Sequence, residues 1–149
     1  MLKLHLMTLG PLQTNCYLAG CDETMDAAII DPAWDGRGIA AAATENGWTI
    51  THILLTHAHF DHVGGLAQLK EETGAPIYLH SEAVEPLRQA SMAAALWGIQ
   101  MPETPPPDVL VDEGDFVEVG NLRFHVLYTP GHAPGHVSFH LPTYHALFD

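Results

Sequence analysis

Basic side chains are scarce in this sequence of 149 residues, which has five Lys and Arg against 18 Asp and Glu. The formal net charge of −13 repels polyphosphate, so a nucleic-acid partner would require a local basic patch. No such patch is visible, because the basic residues are scattered along the chain at Lys3, Arg37, Lys70, Arg88 and Arg123. We therefore expect no nucleic-acid partner.

Cysteine is also rare, and long apolar runs are absent. Cys16 and Cys21 lie five positions apart without a second pair, which excludes a zinc ribbon and favours two reduced, structural thiols. No apolar run reaches the roughly 18–20 residues that a membrane helix needs. The N-terminal segment lacks the apolar core of a secretory signal. We therefore expect a cytoplasmic protein with no membrane partner.

The composition is that of a single globular domain over residues 1–149, since 47% of the residues are hydrophobic and only 15% are charged. Apolar periodicity predicts strands near residues 4–10, 14–20, 26–32, 49–56 and 75–80. It predicts helices over residues 36–47, 62–74 and 82–89, the last with Ser81 as its N-cap. Hairpin strands follow at residues 115–120, 121–129, 136–141 and 145–148. Strands that alternate with helices and then give way to hairpins predict an α/β or α+β sandwich.

Residues 56–62, "THAHFDH", crowd metal-ligand side chains at the end of a buried strand. In an extended segment residues i and i+2 point the same way, so His57 and His59 can reach one ion together. Asp61 and His62 follow where the chain turns into a helix, and they project from another direction. Two imidazoles on one side, with a carboxylate and an imidazole on the other, suit two neighbouring divalent ions. This donor set favours zinc, iron or manganese.

A second histidine cluster lies in "TPGHAPGH", residues 129–136. Its prolines and glycines predict a tight turn after a strand, and loops at strand ends commonly carry catalytic groups. His132 lies inside that turn and can supply a third imidazole to the ion held by His57 and His59. His136 begins the next strand, where we expect it to make a supporting hydrogen bond instead.

The other polar candidates are less informative. Packed or surface positions are expected for four histidines in strand-like stretches, namely His52, His125, His140 and His145. His80 ends a strand before a helix, so it either faces the mouth of the site or packs beneath it. Asp31 either accepts a hydrogen bond that orients a ligand histidine or only forms a turn before Pro32.

"THAHFDH" matches the H-x-H-x-D-H signature of the metallo-β-lactamase superfamily, and "TPGHAPGH" resembles its following histidine turn. The similarity extends to "IIDP" upstream and to "LLTH" leading into the motif, so it covers essentially the whole chain, and it is strongest to the small glyoxalase II branch, the hydroxyacylglutathione hydrolases. The resemblance implies an αβ/βα sandwich with a dinuclear site between two sheets. It implies that one metal is held by His57, His59 and His132, and the other by Asp61 and His62. Ala133 replaces the usual threonine, but that position is not a ligand.

The same resemblance implies a hydrolase that cleaves thioesters such as hydroxyacylglutathione by attack of a metal-bound hydroxide on the carbonyl. Asp61 would be the catalytic residue that holds the second metal and orients the nucleophile. The expected cofactors are two divalent ions, with zinc favoured, and the expected partner is a small-molecule acyl substrate. The alternatives are a lactonase or β-lactamase, an iron-dependent persulfide dioxygenase, and a non-catalytic metal-binding domain. The substrate, the native metal and the oligomeric state stay open.

The end of the chain departs from the family pattern. There, an apolar strand leads through one variable residue to Gly-Asp, whose aspartate bridges both metals, whereas here "HALFD" places Asp149 at the variable position. We expect the bridging aspartate and the last histidine ligand beyond residue 149, in a longer protein; the alternative is that Asp149 itself bridges. Without a bridge, residues 1–149 alone are expected to bind about one zinc and to be inactive.

Overall fold

The structure, a computed structural model, describes residues 1–149 and contains ten strands and five α-helices. The strands are β1 (Leu2–Leu9), β2 (Thr14–Cys21), β3 (Asp26–Ile30), β4 (Thr49–Leu54), β5 (Ile77–His80), β6 (Val109–Val111), β7 (Phe116–Val119), β8 (Leu122–Tyr128), β9 (Val137–Leu141) and β10 (Ala146–Phe148). The helices are α1 (Gly36–Glu45), α2 (Phe60–Val63), α3 (Leu66–Thr73), α4 (Val84–Arg88) and α5 (Ala90–Leu96). None of the helices has the length and apolar character needed to cross a membrane.

The strands form two sheets. The first has six strands in sequence order, β1 to β6, of which β1, β2 and β3 are antiparallel neighbours and β3 to β6 run parallel. The second is antiparallel with the order β10-β9-β8-β7. Parallel neighbours need long crossover connections, which α1 and the α2–α3 segment supply here. The parallel strands therefore all end at one edge of the first sheet.

Successive side chains of β3 point to opposite faces of the first sheet, so this strand contributes to the apolar cores on both sides of the sheet. Ala27 and Ile29 face the helices and join one apolar core, whereas Ala28 and Ile30 face the second sheet and join another. The second core is completed by side chains such as Phe124 and Phe139, which are fully buried. Burial of apolar surface stabilises by roughly 25 cal/mol per Å². Helices on one face of a mixed sheet, with a second sheet on the other, confirm the α/β sandwich predicted from the sequence.

The helix predicted over residues 62–74 is wrong as a single element. It divides into α2 and α3 at Gly64 and Gly65, because the chain passes directly over Trp34 at this point. A Cβ atom at residue 64 would lie 2.3 Å from the Trp34 ring and 2.5 Å from the Ala33 carbonyl oxygen. Packing against the tryptophan therefore overrides the helical periodicity.

Two further details differ from the sequence prediction. Ser81 does not cap the next helical segment; the His80 side chain accepts the Glu82 N–H at 3.0 Å instead, one residue earlier. Helix α5 and the short strand β6 were not predicted, since α5 is a brief alanine-rich stretch and β6 follows the proline-rich loop. Strand β6 is an edge strand of the first sheet, whereas α5 packs against α2 and α4.

Candidate metal centre

The site lies where the parallel strands end. Asp31 follows β3 and the segment from Thr56 to His59 follows β4, so the two strand ends bring these residues to one edge. The turn between β8 and β9 approaches from the second sheet. A hydrogen bond of 2.9 Å from the Val137 N–H to the Thr56 carbonyl joins the two segments. This bond holds the histidine turn beside the first histidine cluster.

Three imidazoles surround one point. The ring centroids of His57, His59 and His132 are 4.7, 4.8 and 4.9 Å apart, with interplanar angles between 72° and 87°. One ligand atom of each side chain lies within 4.8 Å of the others. Nearly perpendicular rings at equal spacing are the arrangement in which three nitrogens can converge on a single cation. The structure thus brings together all three residues assigned to the first metal.

The orientation of His57 is fixed by a hydrogen-bond relay. The Thr56 hydroxyl donates to Asp31 Oδ2 at 2.6 Å, because a carboxylate can only accept. With its single proton committed, the Thr56 oxygen must accept from His57 Nδ1–H, which lies 2.8 Å away. The proton on Nδ1 leaves the lone pair on Nε2. His57 Nε2 is the single buried side-chain nitrogen or oxygen atom that lacks a hydrogen-bond partner.

His62 is oriented by the same aspartate. Its Nδ1 lies 3.0 Å from Asp31 Oδ2, so Nδ1 carries the proton and Nε2 carries the lone pair. Nε2 faces Asp61, whose Oδ2 is 3.6 Å away. That Asp61 oxygen also accepts a hydrogen bond of 2.9 Å from the Thr14 hydroxyl on β2. Asp61 and His62 therefore lie side by side, but the close cluster that contains His62 has Asp31 and His57 as its other members and does not include Asp61.

The pKa values of His57 and His59 keep these two imidazoles ready to bind a cation. Burial, together with the neighbouring imidazoles, lowers the pKa of His57 to about 2. Burial and the adjacent His132 also lower the pKa of His59. Burial lowers the pKa of His62 as well, but the hydrogen bond and charge of Asp31 outweigh it and raise that pKa overall. Neutral imidazole is the form that binds metal, so His57 and His59 are available at neutral pH without losing a proton.

Asp31 also lies close enough to His57 and His62 to form a second cluster of possible ligand atoms. Hydrogen bonding accounts for this proximity, since Asp31 accepts the Thr56 N–H at 2.8 Å, the Thr56 hydroxyl and the His62 ring. Of the two roles left open for Asp31, the geometry matches the orienting acceptor. Its φ of 55° also produces the turn before Pro32.

The two other histidines considered for the site lie outside both clusters. His136 is buried, and its Nδ1 lies 2.9 Å from the Thr129 hydroxyl, which is a supporting hydrogen bond within the turn. His80 is buried too, with its Nε2 3.3 Å from an Asp112 carboxylate oxygen. Its two ring nitrogens are thus already occupied by Glu82 and Asp112.

A cavity of about 530 Å³ opens over the cluster. It is lined by His57, His62, Thr129, Pro130, His132, His136, Ser138, Leu147 and Asp149. Asp149 follows β10 at the rim, and neither cluster of close ligand atoms includes it. Most of the lining residues carry polar side chains, which can bind ions and water.

The two threonines that hydrogen-bond to candidate metal ligands were not predicted from the sequence. Thr56 is fully buried beneath His57, and Thr14 reaches Asp61 across 47 positions of sequence. The only signal for Thr56 was its place directly before the histidine motif, and no local signal pointed to Thr14. Long-range hydrogen bonds of this kind depend on the sheet register, which a sequence does not specify residue by residue.

The residues present fit a divalent metal. A buried, neutral imidazole nitrogen without a partner is costly unless a cation or water binds it. Three converging imidazoles leave one position open on a tetrahedral ion, as in catalytic zinc sites. The hydrogen bonds that fix the tautomers of His57 and His62 are the kind that accompany metal-bound histidines.

Known proteins resemble the chain in sequence and in fold. The sequence model of the Metallo-beta-lactamase superfamily matches residues 9–148. The chain is 36% identical over 142 residues to the probable metallo-hydrolase YqgX of Bacillus subtilis. It is 39% identical over 149 residues to a hydroxyacylglutathione hydrolase of Rhodospirillum rubrum. The crystal structure of TTHA1623 in a di-iron-bound form superposes with a TM-score of 0.86 at 40% identity.

These matches cover nearly all of this chain but only part of the relatives. They include 94% and 99% of the chain for the two curated relatives, and 66% and 51% of the relatives' own lengths. For TTHA1623 the match includes 96% of this chain and 69% of that protein. The chain therefore spans about two thirds of one of these two curated relatives and about half of the other.

Proposed function

The chain belongs to the metallo-beta-lactamase superfamily, and from this membership we propose that its protein is a metal-dependent hydrolase of thioesters such as hydroxyacylglutathione. The observation that carries the proposal is the partnerless, buried Nε2 of His57 at the centre of three perpendicular imidazoles. The 39% identity to a hydroxyacylglutathione hydrolase supports the thioester as the substrate class.

In this proposal His57, His59 and His132 hold one ion, and Asp61 and His62 hold the other. Divalent ions supply two effects when bound, since they polarise a carbonyl oxygen and lower the pKa of water toward neutrality. Zinc is our first expectation because imidazole and carboxylate ligands suit it, and iron is the alternative because TTHA1623 has a di-iron-bound form.

The chain's own residues orient and hold the reacting groups. Asp31, through Thr56, keeps the proton of His57 on Nδ1 and so keeps Nε2 directed into the site. Asp31 fixes His62 in the same tautomer. Asp61, anchored by Thr14, presents a carboxylate oxygen that can accept a hydrogen bond from the attacking water and aim it at the substrate carbonyl.

A second candidate function is an iron-dependent oxygenase acting on a persulfide, which would need the first-metal ligands alone. TTHA1623 shows that a protein similar to this chain can hold iron, and its di-iron-bound form has two ions rather than the single ion that an oxygenase would need. The two functions differ in their second substrate, because an oxygenase consumes dioxygen and a hydrolase does not. A lactonase or β-lactamase activity would use the same ligands on a different acyl bond.

The test uses the full-length protein, loaded in parallel with zinc and with iron. Hydrolysis of S-lactoylglutathione is followed by loss of the thioester absorbance, and oxygen uptake with glutathione persulfide is followed by an electrode. We expect hydrolysis without oxygen uptake, and we expect its loss in His57→Ala but not in the control His5→Ala, a surface histidine on β1. Oxygen uptake without hydrolysis would refute the proposal in favour of the oxygenase.

A further inference from the structure

A second cavity, of about 480 Å³, opens beside the metal centre. Its walls are mainly apolar and comprise Leu12, Phe60, Pro86, Ala90, Ala93 and Trp97. Its polar lining includes His59 and Asp61, which also belong to the candidate metal centre. We call this space the apolar cavity. It begins at the metal-binding side chains, so a molecule held by the metals would reach directly into it.

The apolar cavity is built by one face of α5 against the histidine motif. Ala90, Ala93 and Trp97 are three and four positions apart, so they lie on one side of the helix. The alanines leave the space open, because their side chains end at Cβ. Trp97 closes one wall against Phe60, with ring centroids 6.0 Å apart. Phe60 lies between His59 and Asp61 in the sequence, so the histidine motif contributes both candidate metal ligands and part of the cavity wall.

The charges around the apolar cavity argue against an anionic ligand group. No basic side chain lines it. Arg88, the basic residue nearest in sequence to its wall, is paired with Glu85 at 2.8 Å. The lining residue Gln89 donates its amide to the same Glu85 oxygen at 3.1 Å. The carboxylates of a glutathione group would therefore meet no cation here, in a chain whose formal charge is −13.

We propose that the apolar cavity binds the acyl chain of the substrate, and that this chain is uncharged and apolar. The proposal rests on the proposed function, since it assigns the acyl side of the thioester that the metal centre would cleave. The volume lies within the roughly 300–1,000 Å³ of small-molecule sites, and such sites combine apolar walls with a few polar groups at one end. The polar end here is the metal centre itself.

The kinetic test compares S-hexanoyl and S-acetyl N-acetylcysteamine, two thioesters with the same uncharged thiol, on the metal-loaded full-length protein. Each methylene that leaves water strengthens binding roughly fourfold, so we expect kcat/KM for the hexanoyl thioester to exceed that for the acetyl thioester by at least about tenfold.

Ala93→Phe places a ring inside the apolar cavity and should reduce that ratio of kcat/KM values to about one, since the longer chain no longer fits. Ala95→Phe is the matched control, because Ala95 is exposed on the same helix outside the cavity; its ratio should match that of the unsubstituted protein.

A binding measurement tests the apolar cavity without any turnover. N-phenyl-1-naphthylamine is uncharged and fluoresces when it enters an apolar site. We expect it to bind the full-length protein and the Ala95→Phe variant with the same affinity, and to bind the Ala93→Phe variant at least about tenfold more weakly. Circular dichroism of each variant shows whether the fold is retained.

The outcomes separate this proposal from the proposed function. Hydrolysis of both thioesters with equal kcat/KM, or an unchanged ratio in a folded Ala93→Phe variant, would overturn the acyl-chain assignment and leave the hydrolase intact. Absence of hydrolysis of every thioester would refute the proposed function, and probe binding would then decide whether the cavity takes an apolar ligand. Failure of the probe to bind, as when another segment of the full-length protein fills the space, would overturn the assignment.

Discussion

Replacing Asp31 with asparagine should disturb both halves of the metal centre at once. The substitution keeps the shape of the side chain, and asparagine tolerates the φ of 55° at this position. It exchanges an acceptor oxygen for an NH₂ donor, however. That donor would face the Thr56 hydroxyl and His62 Nδ1, two groups that now donate to Asp31 Oδ2. The Thr56 N–H, which donates to Asp31 Oδ1, keeps the amide oxygen at that position, so both groups must reverse their hydrogen bonds to the NH₂ or lose them.

The reversal moves protons to the wrong nitrogens. If the Thr56 oxygen accepts from the introduced amide, its own proton turns toward His57 Nδ1, and the proton of His57 shifts to Nε2, where the metal must bind. His62 would change tautomer in the same way. Loss of one such orienting contact typically weakens metal affinity by about 10–100-fold. Because Asp31 orients one ligand of each site, we expect a loss in this range at both sites.

Competition with a chromophoric chelator measures the two zinc affinities of the full-length protein. Asp26→Asn is the control, since it makes the same chemical change at the opposite end of β3. Thr56→Val separates the sites, because it breaks the relay to His57 and leaves the bond between His62 and Asp31; only the first site should weaken. A folded Asp31→Asn protein with unchanged affinity at both sites would refute the tautomer argument.

Three other substitutions test separate parts of the account. His132→Ala should abolish tight binding of the first metal, whereas His136→Ala should weaken it by at most about 10–100-fold in chelator competition; equal affinities would refute the assignment of His132. Asp61→Ala should lose most thioester hydrolysis, mainly in kcat, while elemental analysis still finds the first metal; unchanged turnover would remove Asp61 from the mechanism. Gly64→Ala should destabilise the fold by about 1–3 kcal/mol in urea unfolding, because its Cβ would lie 2.3 Å from the Trp34 ring; an unchanged midpoint would contradict the packing described for α2 and α3.

The proximity of the first two histidines was predictable because its signal is local. His57 and His59 are two positions apart at a strand end, and the geometry of an extended chain brings them together without knowledge of the fold. His132 lies 73 positions after His59, and it could be proposed from the Pro- and Gly-rich turn after a strand, to which the family resemblance added support. The sandwich was predictable because strand and helix periodicities follow one another in a recognisable order.

The supporting contacts were less accessible, for a physical reason. Thr14 reaches Asp61 only because β2 lies beside β3 in a fixed register, and register is a property of the whole sheet. The break between α2 and α3 depends on Trp34, which lies about 30 positions earlier. The apolar periodicity of residues 62–74 does not reflect a contact with so distant a residue. Asp31 was a candidate because it ends a strand. Only its hydrogen bonds to Thr56 and His62 in the folded structure show that it orients a histidine as well as forming a turn.

The most direct test of the central claim is an anomalous-diffraction map of crystals of the zinc-loaded full-length protein, recorded at the zinc edge. We expect a peak about 2.0–2.1 Å from His57 Nε2, at a similar distance from one nitrogen each of His59 and His132. A second peak is expected beside Asp61 and His62. A map without density at His57 Nε2, or with zinc bound by other side chains, would contradict the claim that this partnerless nitrogen marks the metal centre.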